Sequence, residues 1–421
     1  MIQKKEKSQS GLSSYFFLTR LKEGFLGVFL AALSGFLSAL VVGAFLVSLN
    51  LVTEFRILNP KMIFFLPFAG LVIVFLYSRV DSRLSKGTSL ILEEIHKPQN
   101  VLPFKMAPLI FVSTLISHLC GASVGREGVA VQMSTALSDQ LSKLFCLNKT
   151  HRQKILIAGM SGGFATALGA PWAGCLFGVE VIHGGKIKAL VLIQSFIAAF
   201  VGYYSLRLLG INQTHFFISE VFSFDVRYLF WVTITGIVFG FVALFFSKII
   251  HFFEKNLTLI FKNSYYQIFF TGLLLSFLFY FEGSGRYSGL GLSYIQAAFE
   301  APSSFNEFLY KSFFTILSLS FGFKGGEFIP LVYMGTALGS AMSVVIPVSF
   351  RLLGIAGFAA LFAGVSNAPL TCSVMAIEFF GWSVAPYVLA ACYSSYLFSG
   401  QKGIYKNKGW SFFKKLKEFG Q

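Results

Sequence analysis

Gly125-Arg126-Glu127-Gly128 is a glycine-flanked turn that opens the apolar run Gly128–Leu141, and its reading governs the rest of the chain. A helix that starts at such a turn exposes backbone N–H groups with no intrahelical partner. Those donors and the positive end of the helix dipole attract anions. Glycine lets the backbone approach an ion that a Cβ would hold off. Glu127 adds an ionisable group to this setting. As a carboxylate it competes with a bound anion for the helix start; protonated, it is neutral and leaves. The alternative is a Glu127–Arg126 pair that holds the turn, although adjacent side chains rarely face each other and exposed pairs contribute little.

The arrangement recurs further along. Lys324-Gly325-Gly326-Glu327 is a second glycine turn carrying a glutamate. Met133-Ser134-Thr135-Ala136-Leu137 is echoed by Met334-Gly335-Thr336-Ala337-Leu338, and small-residue helices are expected at Ala158–Gly169 and Ala356–Ser366. Ala170-Pro171 precedes Glu180 by the same interval that separates Ala368-Pro369 from Glu378. Small-residue motifs recur by chance in membrane proteins, but four elements in one order make chance a weak explanation. The chain therefore reads as two homologous halves, residues 24–210 and 228–400, joined by a linker at 211–227 and flanked by basic segments at 1–23 and 401–421. Glu180 and Glu378 lie near helix ends and are expected to complete interfacial hydrogen bonds, not to carry ions. Gly87-Thr88-Ser89 is a further glycine-led helix start, where the Thr88 hydroxyl either donates to an anion or caps the helix.

Composition places these turns in lipid. The chain is 55% hydrophobic and 12% charged, against about 25% charged in a soluble domain. A helix needs roughly 20 apolar residues to cross a hydrocarbon layer about 30 Å thick. Gly24–Leu49, Met62–Tyr77, Ala189–Leu209, Tyr228–Ile250 and Ile268–Phe281 read as spanning or nearly so; Gly128–Leu141 and Ala368–Phe380 are too short. Short, broken spans are the pattern of transporters. At mid-membrane an ionisable residue such as Glu127 or Glu327 is a functional candidate by its burial cost, although an acidic group at a helix start also complements the dipole.

The net charge of +16 does not indicate nucleic acid. Basic residues gather at the two ends, from Lys4 to Lys22 and from Lys402 to Lys417, which predicts cytoplasmic termini in a plasma (inner) membrane. Trp410, Phe412 and Phe413 are expected along the headgroups, and no cleavable signal peptide is evident. The five cysteines lack metal spacing and no His-Glu-x-x-His pattern occurs, so neither a metal nor a cofactor is expected.

Gly125-Arg126-Glu127-Gly128, the segment Gly325-Gly326-x-Phe328-x-Pro330, the repeated Ala-Pro helices and Tyr405 together resemble the CLC anion channels and transporters, over residues 24–405. The resemblance implies an all-α membrane fold of two inverted repeats, built from broken and tilted helices. It also implies a homodimer with one pore per subunit and an interface from helices around 189–209 and 368–398. By the same likeness Glu127 gates and carries protons and Glu327 is a second carboxylate. Anion contacts are implied at Gly125, Arg126, Gly128, Val129, Gly87, Thr88, Gly325, Gly326, Phe328, Ile329 and Tyr405. By the same likeness, no nucleotide-binding regulatory domain is expected after Tyr405.

Three departures point to one branch. Chloride-handling members have Gly-Ser-Gly-x-Pro early and a proline after Gly-Arg-Glu-Gly; here the residues are Lys86-Gly87-Thr88-Ser89-Leu90 and Val129. Glu327 stands where chloride relatives have an apolar residue. These look like the fluoride/proton antiporter branch, as does Val181, where chloride antiporters often carry an internal proton glutamate. Thr88 and Ile329 depart from the usual fluoride pattern. The expected function is fluoride export in exchange for protons; the alternative is a chloride/proton antiporter or a passive chloride channel of the same fold. An enzyme is not expected, because Asp81, Asp139 and Asp225 are isolated beside polar segments and form no intramembrane catalytic pair.

Overall fold

The computed structural model describes residues 2–183, 191–214, 216, 218, 220–400, 403 and 404, with side chains from Gly24 onward except those of Ser82 and His183. Tyr405 and the basic tail lie outside the described residues. The first half contains α1 (Ile2–Leu58), α2 (Leu66–Val80), α3 (Thr88–His96), α4 (Met106–Leu119), α5 (Glu127–Leu144), α6 (Lys149–Leu168), α7 (Pro171–His183) and α8 (Leu192–Leu208). The second contains α9 (Val226–Ile260), α10 (Ser264–Glu282), α11 (Leu292–Glu300), α12 (Phe305–Ser320), α13 (Phe328–Met342), α14 (Phe350–Ser366), α15 (Pro369–Phe380) and α16 (Ala385–Phe398). Among the described residues no strand occurs.

Among the described residues, four helices are long and apolar enough to cross a membrane: Gly24–Leu58, Pro60–Val80, Val226–Ile260 and Ser264–Glu282. Pro60–Val80 is a 3-10 turn, Pro60–Phe65, running directly into α2. The expected span Ala189–Leu209 begins outside the described residues; within it α8 has 17 residues and is followed by Gly210 in the left-handed region. Among the described residues six apolar helices are shorter than a full span: α4, α7, α8, α13, α14 and α15.

Local chemistry sets matching boundaries in both halves. Helix α6 ends on Gly169 at φ +83°, and α14 ends on Asn367 at φ +58°. Glycine and asparagine are the residues that tolerate this cap. Each is followed by Ala-Pro, and Pro171 and Pro369 take the first helical position, where a missing N–H costs nothing. Small residues then let backbones touch. A Cβ on Gly335 of α13 or on Gly357 of α14 would run into the other's carbonyl. Gly159 of α6 similarly faces Thr135 and Ser138 of α5, the close packing typical of helices in lipid.

The two halves run antiparallel where α7 meets α15. Near the end of α7, Glu180 accepts hydrogen bonds from the N–H groups of Leu370 (3.0 Å) and Thr371 (2.7 Å) at the start of α15. Near the end of α15, Glu378 accepts from Trp172 and Ala173, both at 3.1 Å, at the start of α7. The expected interfacial bonds are thus reciprocal helix caps between the halves.

The aspartates are not isolated. Asp81 pairs with Arg83 and Asp225 with Arg227, each at 2.9 Å. Asp139, fully buried, pairs with Arg152 at 2.8 Å and accepts from the Leu102 N–H at 2.7 Å. Arg152 also reaches Glu94 (3.1 Å) and the Asn100 carbonyl (2.6 Å), so one guanidinium ties α3, α5, α6 and the α3–α4 connection together.

Candidate functional site

The two glycine turns meet each other. Gly125 and Gly326 form an antiparallel bridge in which Gly326 N–H donates to the Gly125 carbonyl at 2.7 Å and Gly125 N–H donates back to the Gly326 carbonyl. Helices α5 and α13 therefore start from one point, one from each half. Only glycine fits. A Cβ at Gly125 would stand 2.9 Å from the Gly326 oxygen, and one at Gly326 would stand 2.9 Å from the Gly128 nitrogen. Gly325 is tighter still against the Val124 side chain.

Glu127 opens α5 and is fully buried. Its carboxylate folds back over its own helix start, accepting from the Arg126 backbone N–H at 3.3 Å and from Arg126 Nε at 3.2 Å. The neighbour pair considered in the sequence reading is present, and the carboxylate also occupies the helix terminus. Arg126 is held from the far side by Thr214, whose hydroxyl accepts from the guanidinium at 2.7 Å. Glu327 stands at the N-cap position of α13 without a side-chain cap bond, and its Oε2 lies 3.8 Å from where a Gly128 Cβ would be. Both glutamates thus flank the glycine bridge.

Val129, Phe328 and Ile329 are buried immediately behind the two helix starts. Phe328 meets Phe164 and Phe362 edge-on, with ring centroids 5.7 and 4.7 Å apart, and Phe164 stacks on Phe177. Gly87, at φ +53°, caps α3 without any side-chain cap bond. Thr88 is not the cap; its hydroxyl accepts from Gln132 Nε2 of α5 at 3.3 Å. Gln132 also stands 3.2 Å from where a Gly87 Cβ would be. The third glycine-led helix start therefore abuts the same helix that Glu127 opens.

The family model for voltage-gated chloride channels matches residues 69–400, most of this glycine-turn architecture. The chain belongs to that family. It is 40% identical over 382 residues, 89% of this chain and 84% of the relative, to a chloride/fluoride channel protein of Pseudomonas syringae pv. tomato. It is 26% identical over 390 residues, 86% of this chain and 83% of the relative, to an H(+)/Cl(-) exchange transporter of Vibrio cholerae. The fold is similar to the crystal structure of a CLC-type fluoride/proton antiporter, with TM-score 0.88 and 27% identity across 92% of this chain and 98% of that one. A slow cyanobacterial Cl-/H+ antiporter shares the fold at TM-score 0.78, over 90% of this chain and 96% of that one, at 20% identity. The protein is thus a CLC-fold membrane protein of an anion- and proton-transporting family.

Within this member of the voltage-gated chloride channel family, the structure adds partners that sequence reasoning did not name. Thr214, Gln132 and the buried pair Thr315–Ser318 of α12 all touch the helix starts or the turn before them. Ser123 Oγ lies 2.9 Å from Thr315 Oγ1, and the Ser123 N–H donates to Ser318 Oγ at 3.1 Å. The signal for Thr315 and Ser318 was their position among apolar residues on one helix face; for Thr214 no local signal existed.

Proposed function

We propose that the protein exports cytoplasmic fluoride in exchange for protons. The observation that carries this reading is Glu127, a fully buried carboxylate lying over the start of α5. A second carboxylate, Glu327, stands across the glycine bridge from it. A group in that position excludes an anion while charged and yields the helix start when it takes a proton, so anion and proton occupy the site in turn. Alternating occupancy is the minimal requirement for exchange. Glu327 accepts or returns the proton on the other side of the bridge. Gly125, Gly128, Gly325 and Gly326 bring the backbone close, and Arg126, Val129, Gly87, Thr88, Phe328 and Ile329 complete the surroundings of the anion. Partial charges at helix ends suit an ion that must also leave.

Fluoride is favoured over chloride by Val129, Glu327 and the sequence around Gly87. The neighbour titled a fluoride/proton antiporter supports the same choice, and the relative named a chloride/fluoride channel protein is compatible with either anion. Chloride/proton exchange is the second reading, favoured by Ile329 and by the relative named as a chloride exchanger. We further infer a homodimer in the plasma membrane with both termini cytoplasmic. The apolar side chains of Ile193, Phe196 and Tyr204 on α8 and of Leu389 and Tyr393 on α16 stand exposed on the helices expected to pair.

The test is purified protein in liposomes. Fluoride release should move protons in the opposite direction, chloride should compete poorly, and Glu127→Gln should pass fluoride without protons. Wild-type coupling in Glu127→Gln would remove Glu127 from the exchange. Selective chloride flux would reject the choice of anion.

A further inference from the structure

Three basic side chains converge between one membrane face and the Gly125 turn, and the exchange proposed above does not use them. Arg56 lies in the last turn of α1, at the opposite end of a spanning helix from Gly24. Its guanidinium donates to Ser288 Oγ at 2.7 Å and lies against Gly289, where a Cβ would stand 2.9 Å from Nη1. Lys311 of α12 is fully buried, and its ammonium donates to the carbonyls of Gly289 (2.8 Å) and Tyr287 (3.1 Å). Two cations therefore share one glycine. His118, at the end of α4, is buried in the same neighbourhood, close to Arg56, Lys311 and Arg126.

This cluster lacks a counterion. Among the described residues neither Arg56 nor Lys311 forms an ion pair. The nearby Glu307, one helical turn from Lys311, is engaged by Arg286 and by the Tyr333 hydroxyl at 2.9 Å. His118 Nε2 is buried with no hydrogen-bond partner. Donor capacity is left over: an ammonium has three N–H groups and a guanidinium five, while the named bonds use two and one. Uncompensated positive charge at membrane depth is costly, and an anion would offset it.

A cavity lies beside the cluster, separated from Lys311 by the Tyr333 ring. Arg286, Glu307 and Tyr333 line a cavity of about 210 Å³. The Lys311 ammonium lies 5.3 Å from the centroid of the Tyr333 ring in that lining. From there Lys311, Thr315 and Ser318 recur at helical spacing along one buried face of α12, and the last two bond Ser123, just before Gly125.

We propose that Arg56, Lys311 and His118 form a second anion station on this face, loaded by the transported small halide. The proposal rests on the anion-transport reading of the Glu127 site. With cytoplasmic termini the station faces outward and is the last stop of an exported ion. Fixed positive potential concentrates anions at the pathway mouth, and several weak stations allow an ion both to enter and to leave.

The test compares fluoride flux against symmetrical fluoride concentration in liposomes for wild type, Arg56→Gln, Arg56→Lys and His118→Gln. Arg56→Gln should raise the half-saturating concentration about tenfold with maximal flux reduced far less, and the shift should shrink as ionic strength rises. Arg56→Lys, which restores the charge, should recover most of the shift, and His118→Gln should show a smaller one. Equal half-saturation in wild type and Arg56→Gln, or equal shifts in Arg56→Gln and Arg56→Lys, would overturn the station. Wild-type protein that passes no fluoride at all would instead reject the transport reading on which it rests.

Discussion

Glu180 on α7 and Glu378 on α15 each grip the backbone N–H groups at the start of the other's helix. One contact of this kind would be a cap; the reciprocal pair is a symmetry. Two helices can cap each other through residues near their C-terminal ends only when they run antiparallel, so the relation between these two glutamates expresses the inversion of the repeats.

Their contributions should differ. Glu180 is buried and also accepts from the Thr371 hydroxyl at 2.6 Å, whereas Glu378 is only partly buried. Glu180→Ala leaves buried donors unsatisfied, which costs about 1–3 kcal/mol. Glu180→Gln keeps an acceptor oxygen and should lose less, and Glu378→Ala should fall between wild type and Glu180→Ala. Thermal unfolding of detergent-solubilised protein gives the order. A melting temperature for Glu378→Ala below that of Glu180→Ala would contradict it.

The glycine bridge makes a graded prediction. A methyl group on Gly125 would meet the Gly326 oxygen at 2.9 Å and Pro330 Cδ at 3.1 Å; on Gly326 it would meet the Gly128 nitrogen at 2.9 Å. On Gly128 the nearest atom is Gly326 Cα at 3.4 Å, an ordinary contact. Gly125→Ala and Gly326→Ala should therefore abolish transport, while Gly128→Ala keeps a measurable fraction. Fluoride efflux at equal reconstituted protein separates the three. Comparable activity in Gly125→Ala and Gly128→Ala would mean that the close approach of the halves is dispensable.

Much of this is legible in the sequence. Glycine followed by glutamate, Ala-Pro at a helix start and small-residue runs are local signals, and they located both turns, α7, α15 and the small-residue helices α6 and α14. The pairing of Gly125 with Gly326 was not legible, because a bridge between turns in different halves leaves no periodicity in either. Thr88 shows the same limit: hydroxyl donor and helix cap were both open readings, and its partner Gln132 is 44 residues away. Arg56 and Lys311 carry no local signal in the sequence, and only the fold brings both against Gly289. Sequence revealed what each turn could do, and tertiary contact decided what each turn touches.

Outside the membrane spans, Asp81 supplies a pH dependence. Its carboxylate accepts from Arg83 Nε, Nη2 and backbone N–H, and these bonds hold its pKa below the ordinary carboxylate value. A depressed folded pKa contributes stability that is present above the unfolded value and lost as pH falls through the folded one. The turn Ser82–Lys86 leading into Gly87 should therefore be equally protected at neutral and mildly acidic pH and open only in strong acid. Hydrogen exchange at Arg83–Gly87 reads this directly. Asp81→Asn should raise exchange already at neutral pH, and an unchanged rate there would leave the pair without a role in the turn.

Gln132 joins Gly87 to α5, and the two residues should fail in distinguishable ways. Gly87 adopts φ +53° and ψ −126°, a backbone region that side chains rarely tolerate, at a cost on the order of 1–3 kcal/mol. Gly87→Ala adds a methyl group 3.2 Å from Gln132, so strain and crowding act together, and both stability and transport should fall. Gln132→Leu keeps the volume near Gly87 but removes the donor to the Thr88 hydroxyl, leaving stability nearly intact. If Thr88 and the α3 start contribute to anion selection, Gln132→Leu and Thr88→Val should shift fluoride-over-chloride preference in the same direction and the double variant should add little, because both break one hydrogen bond. Halide competition in liposomes measures the preference. Additive shifts in the double variant would show that Thr88 and Gln132 act on the anion separately, and no shift in either would take the α3 start out of anion selection.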